Sequence, residues 1–72
     1  MSETKREAFR RLAERRTNAV LERIRVLGNL SNPYAYEFTE EDLRAIFSAI
    51  DSELKLTKLK FQNQRKREFK LD

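Results

Sequence analysis

The fold of this 72-residue chain is decided by one stretch, Gly28-Asn29-Leu30-Ser31-Asn32-Pro33-Tyr34-Ala35-Tyr36-Glu37-Phe38-Thr39-Glu40-Glu41-Asp42, which holds its single glycine and its single proline. Glycine enters the left-handed conformation without a Cβ penalty, so Gly28 is expected to cap a first helix there. Pro33 then prevents the helix from resuming. Thr39 as N-cap, with Asp42 reaching back to it, indicates the start of a second helix. The stretch therefore predicts two helices and a linker.

The first helix is predicted over residues 5–27. Thr4 and Glu7 have the spacing of a capping box, which places the helix start at Lys5. Apolar and small side chains then recur at steps of three and four and share one face. This α1 stripe consists of Phe9, Leu12, Ala13, Thr17, Val20, Leu21, Ile24 and Leu27. Arg16 falls inside the stripe. Its stem is expected to lie along the core, with its guanidinium at the rim or paired with an acid of helix 2. The alternative is a buried arginine that fixes a partner or register.

The second helix is predicted over residues 40–65. Its apolar positions alternate steps of four and three, which is a heptad-like pattern. This α2 seam consists of Leu43, Phe47, Ile50, Leu54, Thr57 and Phe61, with Ile46 beside its start. Two long amphipathic helices predict an all-α fold, an antiparallel helical hairpin forming a single domain over residues 1–72. Residues 1–4 and about 66–72 are expected to be frayed.

A second, thinner stripe lies on the opposite side of helix 2. This second stripe consists of Ala45, Ala49, Ser52, Leu56 and Leu59. Two apolar faces on one helix favour two neighbours, so a homodimer is expected, in which two hairpins form a four-helix bundle. The alternative is a monomer, because isolated exposed leucines are ordinary on protein surfaces.

The linker carries three alternating aromatic residues, Tyr34, Tyr36 and Phe38. They are expected to fold over the open end of the bundle as a hydrophobic lid, with the tyrosine hydroxyls in water or bonded nearby. The alternative is an extended segment that pairs with its symmetry mate as a two-stranded ribbon, or that docks on the edge of a partner.

The composition argues against several kinds of active site. The chain has no cysteine and no histidine, which excludes disulfides, thiolate or imidazole metal sites and nucleophiles activated by histidine. We expect no catalytic residue, no metal site and no cofactor. No apolar run approaches the roughly 18 residues of a membrane span, so the expectation is a cytoplasmic, non-enzymatic protein.

Charge is sorted along the sequence rather than mixed. Residues 1–16 carry a formal charge of +3 and residues 55–72 one of +5, whereas residues 37–54 carry −5. An antiparallel hairpin would bring both basic segments to one pole. The candidate contacts for nucleic acid or for an acidic partner are Arg10, Arg11, Arg15, Lys58, Arg65, Lys66 and Arg67.

Four hypotheses account for this charge. The first is recognition of an unidentified protein partner through the basic pole or the linker aromatics. The second is binding of nucleic acid through phosphate contacts. The third is a solvated surface with helical ion pairs, namely Glu7 with Arg11, Glu14 with Arg10 and Glu22 with Arg25. The weakest is a basic tail at an anionic membrane, and a membrane partner is not expected.

A resemblance covers about residues 12–61. The segment Gly28-Asn29-Leu30-Ser31-Asn32, the helix start Thr39-Glu40-Glu41-Asp42 and the run Ile46-Phe47-Ser48-Ala49 are similar to those of a group of short uncharacterised bacterial proteins. The resemblance implies a small self-contained bacterial domain of a mobile or accessory genetic element. It implies no activity and no site residues.

Overall fold

The computed structural model describes the backbone of residues 2–66 and the side chains of residues 2–63. Within that range the chain forms helix α1 (Lys5–Gly28), a short 3-10 turn (Asn29–Ser31) and helix α2 (Glu40–Lys66), with no strand. The predicted all-helical class with two helices is confirmed, and each helix extends one residue beyond its predicted end. Met1 and residues 67–72, where fraying was predicted, lie outside the described residues. The chain divides into two units, Met1–Glu37, which contains α1, and Phe38–Asp72, which contains α2.

The start of α1 is fixed by the predicted capping box. The backbone N–H of Glu7 donates to Thr4 Oγ1 at 3.0 Å, and the N–H of Thr4 donates to Glu7 Oε1 at 2.9 Å. Arg11 donates to both carboxylate oxygens of Glu3, at 2.8 and 3.0 Å. Glu3 and Thr4 therefore have defined partners instead of the fraying expected of residues 1–4.

The left-handed cap predicted at Gly28 is wrong. Gly28 is the last residue of α1, with φ −61° and ψ −22°, and no described residue has a positive φ. The next residue, Asn29, is also in the right-handed region, and its N–H donates to the carbonyls of Val26 and Leu27. The helix tightens into the 3-10 turn instead of ending in a left-handed residue, a common way to satisfy the last carbonyls.

Pro33 ends the helical run at the residue before it. A proline ring crowds the preceding residue out of the helical region, and Asn32 is accordingly extended, with φ −72° and ψ 107°. Asn32 then organises the turn that follows. Its Oδ1 accepts the N–H of Tyr34 at 3.0 Å, and its carbonyl accepts the N–H groups of Ala35 and Tyr36 at 3.2 and 3.0 Å. This is the local backbone role expected of a turn-forming asparagine.

Helix α2 begins with a second reciprocal cap, as predicted. The N–H of Asp42 donates to Thr39 Oγ1, and the N–H of Thr39 donates to Asp42 Oδ2, both at 3.0 Å. Glu40, Glu41 and Asp42 occupy the first turn, where the positive end of the helix dipole stabilises carboxylates. The start of each helix is thus determined by side chains within a few residues of it.

Neither unit contains a buried side chain among the described residues. The least exposed positions are half-buried and lie along the apolar faces. They are Ala8, Leu12, Ala13 and Leu27 in α1, and Leu43, Ile46 and Ile50 in α2. The helices are therefore defined locally, while their apolar faces remain open.

Replacing Gly28 with alanine is expected to raise the free energy of unfolding by about 0.5–1 kcal/mol. A Cβ at this position meets no atom within 4 Å and the backbone is already helical, so the change only restricts the unfolded chain. The melting temperature followed by circular dichroism measures the effect. An unchanged or lowered melting temperature would contradict the right-handed conformation of Gly28.

The capping box also makes α1 sensitive to acid. The pKa of Glu7 is lowered, mainly by the hydrogen bond from the backbone N–H of Thr4 and further by the hydroxyl of Thr4. The hydrogen bonds from Arg11 lower the pKa of Glu3. A lowered pKa means that the stabilisation is complete above the ordinary glutamate pKa of about 4.3 and is lost as pH falls through the lowered value. We expect the negative ellipticity at 222 nm to become smaller in magnitude over that pH range, because helix is lost.

The matched variant is Glu7→Gln, which keeps a side-chain oxygen for the Thr4 N–H but does not titrate. Its acid transition should be smaller than that of the parent chain when both are titrated from pH 7 to pH 2. Identical transitions would show that Glu7 does not contribute to the acid response.

Candidate binding surfaces

The α2 seam presents large apolar side chains to solvent. Phe47, Leu54 and Phe61 are each more than half exposed, and Phe61 reaches 61%. Thr57 interrupts the apolar series, but its Oγ1 donates to the carbonyl of Glu53 at 2.9 Å. Because the hydroxyl is satisfied within its own helix, Thr57 can lie in an apolar contact without an unpaired donor.

An open groove of about 590 Å³ runs along the first half of the seam. Its lining comes from α2 alone and comprises Glu40, Leu43, Arg44, Phe47, Ser48, Asp51, Ser52 and Lys55. Small-molecule sites are usually concave and enclose most of their ligand, which the side of one helix does not do. The groove is therefore an open part of the side of α2, lined mainly by polar and charged side chains.

The second stripe is exposed over its whole length. Leu56 is 55% exposed and Leu59 is 40% exposed, while Ala45, Ala49 and Ser52 are exposed as well. At 100° per residue the stripe lies on the side of α2 away from the seam. The five predicted interface residues are thus on one face, and no described residue covers them.

The α1 stripe is likewise half-exposed, and cations border it. The Arg6 guanidinium lies 5.8 Å from the centre of the Phe9 ring, within cation–π range. Arg16, on the same face, is exposed and makes no ion pair with any described carboxylate.

The candidate basic residues are not equivalent. Arg11 is held by Glu3 at 2.8 Å, and this contact raises the pKa of Arg11. Arg10, Arg15 and Lys58 have no carboxylate within ion-pair distance among the described residues. The side chains of Arg65 and Lys66 and the whole of Arg67 lie outside the described residues.

Of the three helical ion pairs suggested by spacing, only Glu22 with Arg25 forms, at 3.4 Å. Glu7 accepts a hydrogen bond in the capping box, and Arg11 pairs with Glu3 instead. The ion pair between Glu14 and Arg10 does not form. The Glu3–Arg11 contact was missed because Glu3 precedes the helix, so helical spacing gives no signal for it.

The linker aromatics are exposed, Tyr34 to 98%, and Tyr36 and Phe38 as well. The lid over the end of the bundle depends on the packing of the two helices and stays a prediction. The turn around Asn32 directs this segment, and no extended strand forms there. These three residues nevertheless remain available as a contact patch for a partner.

Within residues 2–66, no three side chains of the types that ligate metals come together. In the same part of the chain, neither helix has the length of apolar sequence needed to cross a bilayer. No protein-family model matches the chain, and no significant similarity to a curated protein or to a solved structure was found.

Proposed function

We propose that this chain is a small binding protein that acts through protein–protein contacts made by its apolar helical faces. The observation that carries the proposal is the absence of any buried side chain among the described residues, together with continuous apolar stripes on both helices. Exposed apolar surface of this extent is typical of interaction sites.

Energetics supports the proposal. Isolated helices in water are marginal, and most helical stability in proteins comes from packing an amphipathic face. Burying one Leu or Phe side chain contributes about 1.5–3 kcal/mol. The apolar stripes of α1 and α2 therefore need to be covered for both helices to persist in solution.

We propose that the α2 seam packs against the α1 stripe in an antiparallel hairpin. The helices have 24 and 27 residues, so their lengths match at roughly 36 and 40 Å. The eleven residues 29–39 connect the two helices, the first three of them in the 3-10 turn, and this connection is shorter than the roughly 12–15 residues above which structureless loops become uncommon. The hairpin would leave the second stripe of α2 for a second copy, giving a four-helix bundle.

The proposed role is regulation or assembly rather than catalysis. The sequence supplies no histidine or cysteine, and its acidic residues gather at a helix start that favours their charged form. An unidentified protein partner, action in the cytoplasm and an origin in a mobile genetic element belong to the same proposal.

Leu54→Gln tests whether the seam is covered in solution, with Lys55→Gln as the matched control on the next residue. Leu54→Gln should lower the free energy of unfolding by about 1.5–3 kcal/mol, whereas Lys55→Gln should change it by less than about 0.5 kcal/mol. Urea denaturation at one fixed protein concentration measures both. Equal, small effects would contradict the proposal.

Nucleic-acid binding is the second candidate function. The observation in its favour is that Arg10, Arg15 and Lys58 are exposed and have no carboxylate partner among the described residues. If the hairpin forms, these side chains would lie toward the same end of the molecule. Such a cluster would contact phosphates without reading bases.

Fluorescence anisotropy with a labelled 20-base-pair DNA duplex and a 20-nucleotide RNA separates the two candidates. Under the protein-binding proposal, no saturable binding is expected at either about 50 or about 200 mM salt. Binding that weakens steeply with added salt, and that Arg10→Ser with Arg15→Ser reduces more than Arg25→Ser, would favour the nucleic-acid function instead.

A further inference from the structure

The second stripe of α2 changes character at its middle. Its first half has the small side chains Ala45, Ala49 and Ser52, and its second half has Leu56 and Leu59. A parallel partner helix of the same sequence would set small against small at one end and leucine against leucine at the other. An antiparallel copy centred on Ser52 would set Ala45 opposite Leu59 and Ala49 close to Leu56, which gives even packing along the contact.

The charge of α2 changes at the same place. Residues 40–53 hold five acidic residues and one arginine, a formal charge of −4, whereas residues 54–66 hold five basic residues and no acid, a charge of +5. Antiparallel pairing brings the acidic half of each copy beside the basic half of the other. Parallel pairing would bring like halves together and is opposed by the same charges.

We propose that this second stripe is a self-docking surface for a second copy of the chain, in antiparallel orientation, with the two-fold axis close to residues 52–54. The inference rests on the proposed function, since it names the occupant of one of the apolar faces. A two-fold axis requires that each contact occur twice, which an antiparallel helix pair with matched halves satisfies.

Ala45 and Leu59 give the orientation a test. They lie seven residues before and seven residues after Ser52, so antiparallel pairing centred there brings Ala45 of one copy beside Leu59 of the partner, twice by symmetry. In a parallel pair, Ala45 would instead lie beside Ala45 of the partner and Leu59 beside Leu59.

The experiment uses two single-cysteine variants, Ala45→Cys and Leu59→Cys, because the chain has no cysteine of its own. Sedimentation equilibrium first checks that the parent and both variants dimerise. An equimolar mixture of the variants is then oxidised mildly, and mass spectrometry resolves the products. The mixed disulfide should exceed the two symmetric disulfides at least about tenfold, because only sulfur atoms that the pairing holds close together can join. Helix content measured by circular dichroism should be unchanged throughout.

Three outcomes would overturn the inference. The parent chain could be a monomer at all accessible concentrations, the mixed disulfide could form only in its statistical share, or the symmetric disulfides could dominate, which is the sign of parallel pairing. None of them decides the proposed function, because the Leu54→Gln comparison tests coverage of the opposite face. A chain that loses stability with Leu54→Gln but remains a monomer would retain the proposed hairpin without the self-docking surface.

Discussion

The feature on which the rest of this structure depends is the apolar seam of α2. Phe47, Leu54 and Phe61 form a continuous series on a helix of 27 residues, and each is more than half exposed. Leaving such a series in water forfeits the main favourable term in folding. The satisfied hydroxyl of Thr57 shows that the seam can enter a contact along its length without a polar penalty. In the proposed hairpin, the apolar stripe of α1 covers this seam.

The local devices that begin and end the helices act independently of that burial. The caps at Thr4 and Thr39 each satisfy backbone donors through one nearby side chain, and Pro33 ends the first helical run by sterics alone. Such devices are each worth about 1 kcal/mol, which selects helix boundaries but does not hold a fold together. Well-defined ends combined with open faces are typical of helices whose stability comes from association.

The difference between helix ends, which nearby side chains determine, and helix faces, which need a partner, explains how much could be predicted from the sequence. Both capping boxes follow from residues three apart, so Thr4 with Glu7 and Thr39 with Asp42 were correct to the residue. The prediction of a left-handed conformation at Gly28 is wrong because glycine permits that conformation without requiring it. The residues after Gly28 form a 3-10 turn, and Pro33 ends the helical run.

The candidate surfaces were predictable only in part. Helical periodicity places the second stripe on one face of α2, but it gives no information on side chains that lie outside a helix. Glu3 is such a side chain, and its contact with Arg11 removes one of the predicted basic residues from the free set. Tyr34 is another case, because the turn set by Asn32, rather than the alternation of aromatics, determines its exposure.

The acidic and basic halves of α2 matter for both candidate functions. Self-docking would pair the basic half with acidic residues, whereas nucleic-acid binding would use the same basic residues for phosphates. In an antiparallel pair the basic half of α2, which includes Lys58 and Lys60, is partly neutralised by the acidic half of the second copy. Phosphate binding would need the same cations to remain unpaired. Arg10 and Arg15 of α1 are not subject to this competition, since neither belongs to α2. A chain that self-docks through the second stripe would thus retain its free positive charge mainly on α1, which favours a role for α2 in assembly and leaves α1 to meet an acidic partner.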